Sequence, residues 1–146
     1  IINCAKNIRK SKEGTWINDC IKNTYIQMNK LGYAHSIECW DGNSLIGGLY
    51  GVHIKSCFFG ESMFSKVTNA SKHCLLFLIS ILTKYNYHLL DSQFYNPHLV
   101  QFGGYEMLNE EYQNKLKIAL AIKNIFPAKI TYSESLSILQ SLTQTS

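Results

Sequence analysis

The sequence predicts an α/β chain of the α+β kind, in which a mixed, mostly antiparallel sheet is flanked by helices. Three observations predict it. Apolar or alternating runs at 35–40, 45–54 and 56–64 read as strands, and Asp41-Gly42-Asn43 between the first two is a hairpin signal. From Asn69 to about Tyr85 the chain is almost continuously apolar, the pattern of a buried helix. Helix-start signals stand on both sides of this region, at Asn18-Asp19 and at Thr131 with Glu134.

The elements follow in order. Asn18 supplies a cap side chain, and Asp19 places an anion near the positive end of the helix dipole. Ile21, Tyr25, Met28 and Leu31 then fall at helical spacing, and Gly32 is a natural stop. After the three strands and the long helix, 87–94 reads as a fourth strand. Asn96-Pro97 starts a short helix that ends near Gly103-Gly104. Residues 105–108 read as a further strand and 110–124 as a helix. Thr131 and Glu134 have the spacing of a capping box and open a final helix. No internal repeat or low-complexity linker interrupts the chain.

A length of 146 residues fits one domain with a real core, and 46% hydrophobic content with two prolines is that of an ordered globular chain. The formal charge of +4 permits an anionic partner without demanding one. Lys6, Arg9, Lys10 and Lys12 bunch just before Trp16, as a solvated segment or as phosphate contacts. The 5 cysteines are widely spaced and odd in number, which suits neither a zinc site nor a disulfide framework. They read as buried thiols of a reduced, cytoplasmic protein. The N-terminal charges are not followed by the apolar stretch of a signal peptide. The most apolar segment, Cys74 to Leu82, falls far short of the roughly 20 residues that span a bilayer. His35, His53, His73 and His88 show no pattern with cysteines or acids, so no metal or cofactor is expected.

Chemistry concentrates in two places. Glu61 and Ser62 lie among Phe58, Phe59, Met63 and Phe64, polar groups in an apolar wall, as in a small-molecule pocket. The glycines that precede them, Gly47, Gly48 and Gly51, mark tight bends or close backbone approach. Asp91 and Gln93 stand at i, i+2 on the expected fourth strand and so project from one face. Such a pair can be a solvent-facing polar stripe. With Leu89, Leu90, Phe94 and Tyr95 around it, the position reads as half-buried, where an unpaired polar group costs about 1–3 kcal/mol.

Taken together, these residues resemble one family, the leucyl/phenylalanyl-tRNA–protein transferases. The resemblance runs from about Ile2 to Leu116. It is carried in order by Gly14-Thr-Trp-Ile17, Leu31-Gly-Tyr-Ala-His-Ser-Ile-Glu38, Leu45-Ile-Gly-Gly-Leu-Tyr-Gly-Val52, Gly60-Glu-Ser-Met-Phe-Ser65, Asn69-Ala-Ser-Lys72, Leu90-Asp-Ser-Gln93, and His98-Leu99 with Gly103. It implies a GNAT-like (N-acetyltransferase type) acyltransferase fold, with 1–116 as catalytic domain and 117–146 as a helical C-terminal extension. The family's aromatic, proline- and glycine-rich N-terminal portion is expected to be absent. The match fades after Glu106, where members commonly carry a basic residue and this chain has Asn109-Glu-Glu111.

The implied activity moves Leu, Phe or Met from aminoacyl-tRNA to the α-amine of proteins that begin with Arg or Lys, marking them for N-terminus-dependent degradation. The resemblance carries Asp91 and Gln93 over as active-site residues, with Asp91 orienting Gln93 and Gln93 positioning the amine. Glu61 would face the cationic acceptor, and Ser62 would donate to the developing oxyanion. The donor side-chain pocket falls on Leu49, Phe58, Met63, Leu75, Leu78, Leu82 and Leu90, residues that core packing explains equally well. Leu78 and Leu82 stand where other members carry aromatics, which implies a roomier pocket and a looser donor preference, since one methylene is discriminated by only about 1–3 kcal/mol. Trp16 resembles the platform for the terminal adenosine of tRNA, with Tyr25, Asn96 and His98 also matching. Otherwise Trp16 would be core, Asn96 a helix cap and His98 a packing residue.

Two other readings stand beside this one, the first with less support than the second. A CoA-dependent N-acyltransferase would need a glycine-rich pyrophosphate loop, whereas Ser65-Lys-Val-Thr-Asn-Ala-Ser71 contains no glycine. A binding-only remnant, lacking the N-terminal part, would keep the site residues without catalysis.

Overall fold

Local signals set the first long helix. Asn18 is extended (φ −86°, ψ 179°), and its side-chain oxygen accepts from the Ile21 N–H at 2.9 Å. Asp19, in the first turn, pairs with Lys22 at 2.6 Å, and the helix α2 (Asp19–Lys30) begins there. It ends where Gly32 takes φ +82°. Gly32 N–H donates to Asn29 O at 3.0 Å and Tyr33 N–H to Met28 O at 2.9 Å, the paired bonds of a Schellman stop. The computed structural model describes residues 1–6, 16–127 and 130–144. Arg9, Lys10, Lys12, Gly14 and Thr15 lie outside the described residues.

Four strands form one sheet in the order β1 (Ala34–Asp41), β2 (Ser44–Ile54), β3 (Cys57–Ser65), β4 (Leu89–Asp91). β1 and β2 are antiparallel, with Ala34 opposite Val52 and Asp41 opposite Ser44, and the register shifts between Cys39 and Trp40. Only Lys55 and Ser56 join β2 to β3, a connection that an antiparallel pair alone allows. β4 pairs parallel with the start of β3, Cys57 opposite Leu89 and Phe59 opposite Asp91. Its crossover is α3 (Ala70–Lys84). Then come α4 (Pro97–Val100), α5 (Asn109–Ala121) and α6 (Tyr132–Gln144). The expected α+β class, a mixed and mostly antiparallel sheet with flanking helices, is what the chain adopts.

Three expectations need correction. The fourth strand is 89–91 rather than 87–94, because the Asp91 side chain turns back on the following backbone and ends the ladder. Residues 105–108 form no strand. Tyr105 and Leu108 are exposed, and Leu108 (φ −65°, ψ 148°) is the residue from which α5 starts. At the N-terminus a short helix, α1 (Ile2–Lys6), stands where no element was expected before Asn18, and Cys4 on it is buried.

The chain divides into two compact units, one of residues 1–52 and 61–75, the other of 53–60 and 76–146. The first has a core of Cys4, Ile17, Tyr50 and Phe64, against which Ile21, Tyr25 and Leu45 pack. Tyr25 meets Tyr50 edge-on, ring centroids 5.1 Å apart. Here β2 comes so close to the start of α3 that a Cβ on Gly47 would lie 2.9 Å from the Ala70 carbonyl carbon.

The second unit has a core of Cys57, Leu89 and Ala119, joined by Phe59, Tyr112, Leu116 and Leu120. Tyr87 OH bonds to His53 Nδ1 at 2.7 Å, and Phe126 packs on Phe58 with centroids 5.5 Å apart. Ser80 and Ser135, both buried, share a 2.7 Å hydrogen bond. The capping box forms as expected: Thr131 N–H and Oγ1 both donate to Glu134 Oε2 (2.9 and 2.8 Å), and Glu134 N–H donates back to Thr131 Oγ1 at 3.3 Å.

The cysteines carry thiols. Cys4, Cys57 and Cys74 are buried as expected, Cys39 is partly covered, and Cys20 is exposed on α2. Among the described residues, no helix is long and apolar enough to cross a membrane.

Candidate active site

Within the second unit the short β4 determines what Asp91 can do. Leu89 is buried, Leu90 exposed and Asp91 half-covered, at the carboxyl end of the strand. Both carboxylate oxygens are engaged. Oδ1 accepts from Gln93 N–H at 2.7 Å, and Oδ2 accepts from Tyr112 OH at 2.7 Å. The chain turns sharply here, with Gln93 in the left-handed region at φ +66°. The Gln93 side chain then reaches β3, its Nε2 donating to Gly60 O at 3.3 Å.

Asp91 and Gln93 therefore do come together, but not as two side chains on one strand face. A carboxylate-capped turn joins them, of the type in which an Asp side chain bonds the backbone two residues on. The hydrogen bond to Gly60 O sets the Gln93 amide, because nitrogen and oxygen occupy opposite branches of that group.

Tyr112 was not anticipated. Tyr112, Leu116, Ala119 and Leu120 share one face of α5 and pack against the Cys57–Leu89 core. That helical spacing was the available signal. Burial, then the hydrogen bond to Asp91 and the Asp91 charge, push the Tyr112 hydroxyl up to about 12, so it stays a proton donor at neutral pH. Burial, and after it the Asp91 charge, also raises the Cys57 thiol.

Asn96, just beyond the turn, is the cap of α4, its Oδ1 accepting from His98 N–H at 3.0 Å; both residues are exposed. Phe58, Leu78 and Leu82 are buried, while Leu90 is 37% exposed.

Within the first unit, the Tyr25 hydroxyl hydrogen-bonds Glu61, and burial followed by that bond raises the phenol above its ordinary value. Ser62 is half-covered, Leu49 and Leu75 are buried, and Met63 is 37% exposed. Trp16 is 43% exposed, so it is no core residue. Ser71 N–H, in the first turn of α3, donates to Ser65 Oγ at 2.9 Å, and Ala70 N–H donates to Val67 O at 3.1 Å.

Of the seven apolar residues assigned to a donor pocket, Met63 and Leu90 are those whose placement core packing leaves unexplained. The structure assembles Asp91, Gln93 and Tyr112 in one unit, and Glu61 with Tyr25 in the other.

Fold and side-chain cluster together describe an α/β chain with an acid–amide pair at the end of a sheet strand. Comparison with known proteins makes the class specific. Residues 1–117 match the family model described as leucyl/phenylalanyl-tRNA protein transferase. A protein of that name from Hyphomonas neptunium is 50% identical over 112 residues, which cover 77% of this chain and 43% of the relative. One from Maricaulis maris is 44% identical over 149 residues, covering 100% of this chain and 67% of the relative. One from Caulobacter vibrioides is 42% identical over 146 residues, again covering 100% and 67%. This chain belongs to the leucyl/phenylalanyl-tRNA–protein transferase family. It spans between 43% and 67% of the length of these three relatives.

Proposed function

We propose that this chain carries out aminoacyl transfer: it moves Leu, Phe or Met from aminoacyl-tRNA to the α-amine of an acceptor that begins with Arg or Lys, as a step toward N-terminus-dependent degradation in the cytoplasm. The reaction is aminolysis of an ester. The amine nitrogen attacks the aminoacyl carbonyl carbon, a C–N bond forms, and the C–O bond to the tRNA 3′-terminal ribose breaks. The amine's proton ends on the departing ribose oxygen.

The observation that carries the reading is the turn in which Asp91 holds the Gln93 backbone while the Gln93 amide is oriented by Gly60 O. An α-amine with a pKa of about 7.7–8.0 is on the order of a tenth neutral near pH 7, so no strong base is required. Holding amine and ester in attack geometry is worth more, up to about 7–11 kcal/mol. In this reading Asp91 and Gln93 supply that positioning, with Gln93 Oε1 accepting from the incoming amine. Glu61 attracts the cationic acceptor side chain, and Ser62 donates to the oxyanion. Leu49, Phe58, Met63, Leu75, Leu78, Leu82 and Leu90 receive the donor side chain. Trp16, Tyr25 and Asn96 receive the terminal adenosine, where base stacking contributes about 1–3 kcal/mol without sequence preference. Residues 1–116 carry the chemistry and 117–146 extend it.

A CoA-dependent reaction finds less support. Two amides at the start of α3, those of Ala70 and Ser71, are spent on Val67 O and Ser65 Oγ rather than left to cradle a pyrophosphate.

The test is transfer of labelled Leu from Leu-tRNA, and Phe from Phe-tRNA, to a peptide beginning with Arg. We expect transfer by the chain and a loss of about 100-fold or more in Asp91→Ala. Tight tRNA binding with no transfer, from a chain shown to be folded, would replace this reading with that of a binding-only remnant.

A further inference from the structure

We infer that Tyr112 is a positioning residue of the transfer reaction: by fixing the Asp91 carboxylate from α5, it holds Gln93 in the backbone conformation that aims its amide. The inference rests on the acyl-transfer reading above and adds to it a residue outside the motifs that reading uses.

The geometry forms one chain of contacts. Tyr112 is anchored by its ring in the Cys57–Leu89–Ala119 core and by its backbone N–H, which donates to Leu108 O at 2.9 Å. Its hydroxyl therefore reaches Asp91 from a fixed point, donating to Oδ2 at 2.7 Å. A carboxylate held by one oxygen only can rotate about its Cβ–Cγ bond, a broad and soft torsion. Held at Oδ2, it presents Oδ1 toward the Gln93 N–H, 2.7 Å away.

That bond has a particular task, because Gln93 sits at φ +66°, where an L-residue with a long side chain is strained. Without a fixed acceptor the residue relaxes toward negative φ, and the amide leaves Gly60 O. The hydroxyl, raised to about 12, keeps its proton near neutral pH and so remains the donor to Asp91.

Tyr112 touches neither donor nor acceptor in this account, and its effect appears in turnover rather than in tRNA affinity. The experiment compares the chain with Tyr112→Phe, which keeps the ring and removes only the donor. Transfer kcat is expected to fall about ten- to a hundredfold, the range set by one hydrogen bond to a charged group, with KM for aminoacyl-tRNA unchanged. In a ¹H–¹⁵N spectrum the Gln93 amide signal is expected to move upfield while those of Leu116 and Ala119 stay in place. An unchanged kcat, or a KM that rises with kcat intact, overturns the inference. If the unsubstituted chain transfers nothing, the functional reading has failed, and the spectrum alone decides: a Gln93 signal that stays in place in Tyr112→Phe overturns the positioning role, and one that moves supports it.

Discussion

Gly47→Ala should be among the most damaging single-methyl additions to the first unit. The new Cβ would meet backbone atoms of Ala70, its carbonyl carbon at 2.9 Å and its Cα at 3.2 Å. Ala70 is itself buried and begins α3. No flexible side-chain end can swing aside, so either β2 or the start of α3 must move. Overpacking costs about 1–3 kcal/mol, and a clash with backbone on both sides belongs in the upper half of that range. For a chain of this size, about 2–3 kcal/mol lowers the thermal midpoint by about 6–12 °C.

Gly60→Ala is the control. It lies on β3 without positive φ, and its nearest neighbour would be Asp91 O at 3.6 Å, ordinary contact. Loss of unfolded-state freedom should leave that variant unchanged or up to about 1 kcal/mol more stable. Urea unfolding followed by circular dichroism, with the m-value checked for constancy, measures both. A Gly47→Ala chain as stable as the parent, or a Gly60→Ala chain equally damaged, would refute the steric account.

Three further outcomes follow from side-chain environments. Lys84 and then Thr131 hold the Glu134 carboxyl down to about 2. A depressed carboxyl contributes stability fully above its ordinary value of 4.5 and loses that contribution as pH falls toward 2. The parent's thermal midpoint should therefore fall between about pH 5 and pH 2, and Glu134→Gln should flatten that fall, as melting at a series of pH values will read. Cys20 is exposed, whereas burial raises Cys57 and pushes Cys74 up to about 12. Maleimide at neutral pH should label Cys20 first and reach Cys57 and Cys74 only in denaturant, as peptide mass spectrometry will read. Ser135→Ala should cost about 1 kcal/mol, since Ser80 Oγ keeps its 2.7 Å bond to Phe77 O, while Ser135→Val should cost about 1–3 kcal/mol by overpacking, both from urea midpoints.

What the sequence discloses is governed by range. Asn18, Gly32, Asp41-Gly42-Asn43 and Thr131–Glu134 were legible because a cap, a stop or a turn is decided within a few residues, and each forms as expected. Alternation could not show that Asp91 ends its strand, because the cause is a side-chain bond to the backbone of Gln93. Apolar content at 105–108 suggested a strand, but among the described residues no neighbouring strand takes up its backbone. Tyr112 was invisible for a related reason: it acts on a residue 21 positions away. A helical face tells which residues point inward, not which carboxylate one of them meets. The family motifs identified Asp91 and Gln93 without conveying how the backbone brings them together.

The left-handed backbone at Gln93 has an evolutionary consequence. A glutamine at φ +66° costs on the order of 1–2 kcal/mol, which glycine would avoid and asparagine would reduce. Selection for persistence of the folded chain alone would favour either replacement, and neither supplies the same amide reach to Gly60 O. Glutamine at this position thus trades some stability of the folded chain for that reach. Under the transfer reading proposed above, relatives that no longer transfer should lose Gln93 before Asp91, whose hydrogen bonds still hold the turn.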